Sequence, residues 1–242
     1  MTLPTLVLLP GMDGTGEMFA PFLAALGSQC QVTCVRYPGD VPWGYAELEA
    51  LVRGQLPSSA PYVVVGESFS GPVAAALSAT PPPGMVGVVL CCTFVRNPRP
   101  QLAIFRGLLG LLPVKTTPVA AMVPVLLGKY ATVALLRALA GALAQVTPDT
   151  IRARLRAVLQ VDARANLAAA QVPVLYLQAN QDRLVPASAA TEVASCLPST
   201  TFVSIDGPHL LLQACPVPAG QAVIRFMRSL RLPAALDLHA QA

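Results

Sequence analysis

The chain has 242 residues, of which 54% are apolar and 12% charged, with a mean hydropathy of +0.59. This composition excludes an intrinsically disordered chain, and no run approaches the ~20 consecutive apolar residues of a membrane span, since Thr116–Gly128 is too short and Ala131–Val146 is cut by Arg137. The net charge of +4 is uneven: residues 94–166 hold ten Arg/Lys against two Asp, a local +8, whereas the remainder holds six Arg against ten acids, or −4.

Short apolar runs alternate with helical stretches. Thr5–Leu9 reads as a strand stopped by Pro10-Gly11, and Gln31–Arg36 as a second stopped by Pro38-Gly39-Asp40. Tyr45–Leu56 carries Leu48, Leu51 and Val52 at helical spacing. Tyr62–Gly66 is a third strand, followed by a small-residue helix over Pro72–Thr80 that stops at Pro81-Pro82-Pro83-Gly84. Val86–Cys92 is a fourth strand. The gap from residue 94 to about 171 is too long for a plain loop. Within it, Thr147-Pro148-Asp149 reads as a helix N-cap, N1 proline and first-turn acid. Ile151, Leu155, Val158 and Leu159 then form an apolar stripe, with Arg152, Arg154 and Arg156 off it. An inserted helical cap is expected, built from short helices separated by Pro113, Pro118 and Pro124. Val172–Leu177 and Thr201–Ile205 are the fifth and sixth strands, with helices over Ala187–Cys196 and Ala219–Leu230. The strands are short, β-branched-rich and apolar on both faces, as in a covered parallel sheet. The fold predicted is α/β: a mostly parallel sheet of about six strands with helices on both faces. Residues 1–93 and 167–242 form its core, and 94–166 the cap.

The six cysteines form no C-x-x-C pair and no disulfide framework, and Met1-Thr2-Leu3-Pro4 lacks the basic residues of a signal peptide. A reduced, cytoplasmic protein is expected. Without a compact basic run interleaved with aromatics, nucleic acid is not an expected partner. The cap arginines suit an anionic surface, an acidic carrier protein or a substrate carboxylate, or are simply solvated faces.

The third strand runs into Gly66-Glu67-Ser68-Phe69-Ser70-Gly71, and a helix follows at once. A sharp strand-to-helix turn needs small residues on either side of its tip and projects the tip side chain off the sheet, so Ser68 is a candidate nucleophile. The chain holds only two histidines, His209 and His239, and the second lies in a polar tail. Any imidazole serving Ser68 is therefore His209.

With these residues the sequence resembles the α/β-hydrolase family over nearly its whole length. The resemblance implies the triad order Ser, acid, His, which Ser68, Asp182 and His209 satisfy just past the third, fifth and sixth strands. It also implies an oxyanion loop at Leu8-Leu9-Pro10-Gly11-Met12-Asp13-Gly14, with the backbone N–H groups of Met12 and Phe69 as donors. Pro10 stands where the family commonly has histidine, and Ser70 replaces the second elbow glycine. Asp162 and Asp206 are rival acids, the former a helix cap or arginine partner and the latter a turn residue. Glu67 is read as a surface or hydrogen-bonding residue, and Asp13 is not expected to bind metal. The sequence is further similar to small bacterial carboxylesterases and the hydrolase part of plant phytyl ester synthases. That likeness implies cleavage of an acyl ester without a cofactor, or acyl transfer or thioester cleavage on the same triad, with a non-catalytic ligand-binding member of the fold as the remaining alternative. Apolar cap residues, Leu108, Leu109, Leu111, Leu112, Leu126, Leu127, Leu135 and Leu139 among them, would line a pocket for a hydrophobic acyl chain or pack on the body.

Overall fold

The computed structural model describes residues 3–58, 60–101, 104, 107 and 118–231. The expectations for His239, Pro113 and Leu108, Leu109, Leu111 and Leu112 lie outside the described residues.

Six strands form one sheet: β1 (Thr5–Leu9), β2 (Val32–Cys34), β3 (Tyr62–Glu67), β4 (Met85–Cys91), β5 (Val174–Ala179) and β6 (Thr201–Ile205). Their order is β2-β1-β3-β4-β5-β6, and every neighbouring pair is parallel. This is the α/β-hydrolase fold that the sequence predicts. The period-2 alternation of strands divides the core into two layers. Leu6, Leu8, Val63 and Val65 face α1 (Ala20–Leu26), α9 (Leu211–Ala214) and α10 (Pro216–Ser229). Val7, Leu9, Val64, Val88 and Leu90 face α2 (Tyr45–Arg53), α3 (Gly71–Ala79), α7 (Arg164–Ala168) and α8 (Ser188–Cys196).

Four details differ from the sequence reading. The two edge strands are not apolar on both faces: Thr201, Phe202 and Ser204 of β6 are exposed, and β2 is three residues long, with Thr33 exposed. Among the described residues each lacks a neighbour on one side, and a short or partly polar edge is the arrangement that discourages pairing with another chain. Helix α1 is an element the sequence reading lacks, although Pro21 near its start and the positive-φ Gly27 just past its end mark such a helix. Pro124 does not separate two helices but lies inside α4 (Val119–Leu126). Pro124 stands past the first turn, so it leaves the helix without the bond that an N–H there would make to the Ala120 carbonyl. Finally, α10 starts three residues before the expected Ala219, at Pro216, a favoured first-turn residue.

Between β4 and β5 the described chain is helical: α4, α5 (Val133–Ala144), α6 (Pro148–Gln160) and α7. Thr147 caps α6 as expected, its hydroxyl accepting from the Thr150 N–H. Leu126, Leu127, Leu135 and Leu139 are buried in a separate apolar cluster with Met18, so these side chains are occupied in packing. Several of the basic residues also engage their own chain. Arg99 donates to the carbonyls of Arg183 and Leu184, Arg164 pairs with Asp162, and Arg152 pairs with Asp149. Among the described residues no helix is long and apolar enough to cross a membrane.

Candidate active site

The site lies where β1, β3, β5 and β6 end, the edge at which open parallel sheets build binding crevices. β3 stops at Glu67, and Ser68 takes φ of +49° before a 3-10 turn (Ser68–Ser70) leads into α3. Left-handed backbone costs a non-glycine residue ~1–2 kcal/mol and persists only where its surroundings enforce it. Here they do. A Cβ on Gly66 would stand 2.7 Å from the Ala74 Cβ and 2.8 Å from the Ser70 carbonyl oxygen, so only glycine fits beneath the turn. The Thr93 hydroxyl, just past β4, donates to the Ser68 carbonyl.

Ser70 does not crowd the turn. The tightest approach falls one residue later, where Gly71 abuts the Thr93 side chain. The Ser70 hydroxyl, fully buried, donates to the Pro10 carbonyl (2.5 Å), which leaves the Tyr37 hydroxyl to donate to Ser70 Oγ (2.7 Å). The residue in place of the second elbow glycine thus fastens the elbow to the loop after β1.

Three distant side chains meet above this edge. Ser68 Oγ lies 2.8 Å from His209 Nε2, and His209 Nδ1 lies 2.8 Å from Asp182 Oδ2. The other Asp182 oxygen accepts from the Leu184 and Val185 N–H groups, both at 2.8 Å. The carboxylate can only accept, so the Nδ1 atom carries the ring proton and the Nε2 lone pair faces the serine hydroxyl. Both the imidazole and the carboxylate are almost fully buried. The arrangement can take a proton from Ser68 and hold the resulting imidazolium against a carboxylate. The rival acids are engaged elsewhere. Asp162 lies against Arg164, which draws its carboxyl down to about 2, and Asp206 accepts from Gln181 Nε2 (2.6 Å) and the Tyr130 hydroxyl (3.2 Å).

Met12 sits in the turn Gly11–Gly14, closed by a Gly14 N–H bond to the Gly11 carbonyl (3.1 Å). Asp13 is spent within this loop, its carboxylate accepting from the N–H (2.9 Å) and hydroxyl (2.6 Å) of Thr15. Among the described residues no three His, Cys, Asp or Glu stand together as a metal site. Phe69 directly follows Ser68 and stacks on Tyr45 with ring centres 4.9 Å apart.

Glu67 is a hydrogen-bonding residue, not a surface one. It is 3% exposed and accepts from Gln213 Nε2 at 2.9 Å. Burial pushes its carboxyl up to about 7, the Gln213 bond opposes that rise, and the nearby Asp13 charge adds to it. Arg154, one of the arginines read as off the apolar stripe, is 1% exposed and turned into the body. Thr93, Ser70, Tyr37, Gln213 and Arg154 are site-supporting residues that sequence reasoning missed. The N-cap, stripe and elbow patterns are local, whereas these five act across 25 to 146 residues of sequence.

Comparison with known proteins agrees with this architecture. The alpha/beta hydrolase family model matches residues 6–219, and the chain belongs to that family. A bromoperoxidase from Bacillus anthracis superposes with a TM-score of 0.80 at 15% identity, covering 94% of this chain and 93% of that one. A thermophilic esterase from Thermogutta terrifontis superposes at 0.78 with 20% identity, over 93% and 89% of the two chains. Among curated proteins, the chloroplastic phytyl ester synthase 1 of Arabidopsis thaliana is 37% identical over 82 residues, which is 31% of this chain and only 12% of that protein.

Proposed function

We propose that the protein is a serine hydrolase that cleaves carboxylic esters through an acyl-enzyme. The observation that carries this reading is the unbroken relay from Ser68 Oγ through His209 to Asp182, with both links at 2.8 Å. Ser68 Oγ attacks the acyl carbonyl while His209 Nε2 takes its proton. His209 then delivers that proton to the leaving alcohol oxygen, and the acyl group remains on Ser68. Asp182 holds the imidazole in the working tautomer and stabilises its cation. The Met12 and Phe69 N–H groups receive the tetrahedral oxyanion, each such donor being worth ~3–4 kcal/mol in comparable sites. Water, activated by the same imidazole, releases the acid.

The acyl group is proposed to be hydrophobic, on the strength of the apolar composition of residues 94–166. Hydrolysis of p-nitrophenyl esters of increasing length tests this: activity rises with chain length, and strict preference for acetate defeats the idea. Acyl transfer is the second reading, favoured by the 82-residue match to an ester synthase. Added long-chain alcohol then yields a new ester in place of free acid. An ester and thioester panel run on the wild type and on Ser68→Ala tests the main reading. Turnover in the variant falls about 10⁴-fold or more, and near-normal hydrolysis without the hydroxyl excludes it.

A further inference from the structure

The turn at Gly11–Gly14 has every carbonyl accounted for. Pro10 is held by Ser70, Gly11 by the Gly14 N–H, and Gly14 by the Tyr37 N–H at 2.8 Å. The carbonyls of Met12 and Asp13 point the other way, and both are taken by one side chain. Arg154 Nη1 donates to Met12 O at 2.7 Å and to Asp13 O at 3.0 Å, and Nη2 donates to Pro38 O at 2.8 Å. The guanidinium lies over the Tyr37 ring, 5.8 Å from its centre. Gly14, at φ of +74°, makes the room: a Cβ there would stand 2.7 Å and 2.9 Å from the two terminal nitrogens of Arg154.

A buried guanidinium has a large desolvation cost that hydrogen bonds must offset; here both terminal nitrogens are bonded, while Nε is buried without a partner. Among the described residues no carboxylate lies within ion-pair distance of Arg154; its bonded partners are three backbone carbonyls, two of them in the turn that carries Met12. Arginine's planar fork bridges the Met12 and Asp13 carbonyls, on one nitrogen, to the Pro38 carbonyl, on the other, a span that the single ammonium of lysine does not cover. The residue comes from α6, so a helix inserted between β4 and β5 grips the loop after β1.

We propose that Arg154 is a positioning residue for the oxyanion site: its guanidinium, delivered from α6, fixes the turn that aims the Met12 N–H at the reacting carbonyl. The inference rests on the ester-hydrolase reading. An oxyanion donor works only within ~2.7–3.1 Å of the developing charge, and a displacement of ~1 Å in such a group lowers rate by ~10²-fold. Arg154 should therefore act on the transition state and not on ground-state binding.

The test compares wild type, Arg154→Met, Arg154→Lys and, as a surface control, the exposed Arg156→Met. Active sites are counted by titration with a fluorophosphonate, so that kcat refers to folded, competent enzyme. The expected result for Arg154→Met is a kcat per titrated site about 10²-fold lower with KM within about threefold of wild type. Affinity for phenylboronic acid, whose tetrahedral adduct on Ser68 uses the same donors, weakens in parallel. Arg154→Lys recovers part of both, and Arg156→Met changes neither. If Arg154→Met does not fold, Arg154→Lys carries the same comparison, with a smaller loss in the same two quantities. A lower yield of titratable sites with unchanged kcat per site means a purely structural role and overturns the inference, as does equal loss in substrate and boronate binding. Wild-type protein inert to both ester and fluorophosphonate is the separate signature of a failed hydrolase reading, and the inference falls with it.

Discussion

Replacing Asp182 with asparagine should cost far more than the loss of one charge implies. The Asp182 carboxyl has two distinct ends: Oδ1 accepts from the N–H groups of Leu184 and Val185, and Oδ2 accepts from His209 Nδ1. An asparagine keeps its oxygen toward the two backbone donors, because turning it round leaves both unsatisfied at ~1–3 kcal/mol each. Its NH2 group then faces Nδ1. The imidazole must accept there, so its proton moves to Nε2 and meets the Ser68 hydroxyl donor to donor, and the base is lost. A wrong tautomer of this kind lowers kcat by ~10⁴-fold in comparable triads, or about 5.5 kcal/mol at 1.36 kcal/mol per factor of ten. The assay is kcat for a p-nitrophenyl ester at saturating substrate, with thermal unfolding recorded to show that the fold survives. A folded Asp182→Asn variant within tenfold of wild type would refute the reasoning, because the relay would then not pass through this carboxylate.

Two further perturbations probe the buried groups around the site. The Glu67 carboxyl is raised from 4.5 to about 7 in the folded protein, so the folded state binds its proton more tightly than the unfolded state. This contribution to stability is present below about pH 4.5 and is lost as pH rises toward 7, by about 3 kcal/mol in all. Glu67→Gln, which keeps an acceptor for Gln213, should flatten the dependence of unfolding temperature on pH across that window; an unchanged slope contradicts the assignment. Ser70→Ala removes the hydrogen bond to the Pro10 carbonyl and leaves the Tyr37 hydroxyl unpaired in the core. It should destabilise by ~1–3 kcal/mol and lower kcat with little change in KM, and unaltered stability in a urea titration counts against this account of the loop.

Much of the fold was legible in local pattern. The strand-turn-helix around Gly66 and Ser68 shows in sequence because the backbone doubles back there, and the geometry admits only small neighbours. His209 was legible for a different reason, because the scarcity of histidine left one choice for the ring, and Asp182 followed from the resemblance to the α/β-hydrolase family, which implies an acid just past the fifth strand. What local pattern could not convey was who satisfies the loop carbonyls. Ser70 looked like a departure from a glycine motif, yet its hydroxyl is the anchor for Pro10. Arg154 looked like one of three arginines on a polar helix face, because helical periodicity reports which side is apolar and says nothing of a cation drawn inward by carbonyls more than a hundred residues away. The exposed edges of β2 and β6 were missed because an apolar run does not reveal which strand ends the sheet.

The most direct test of the central claim is covalent: treat the protein with a fluorophosphonate and map the modified peptide. The account predicts one phosphonyl adduct, on Ser68, formed at the rate at which esterase activity disappears and absent from Ser68→Ala. Full ester hydrolysis with no adduct, or an adduct on another residue, would contradict it.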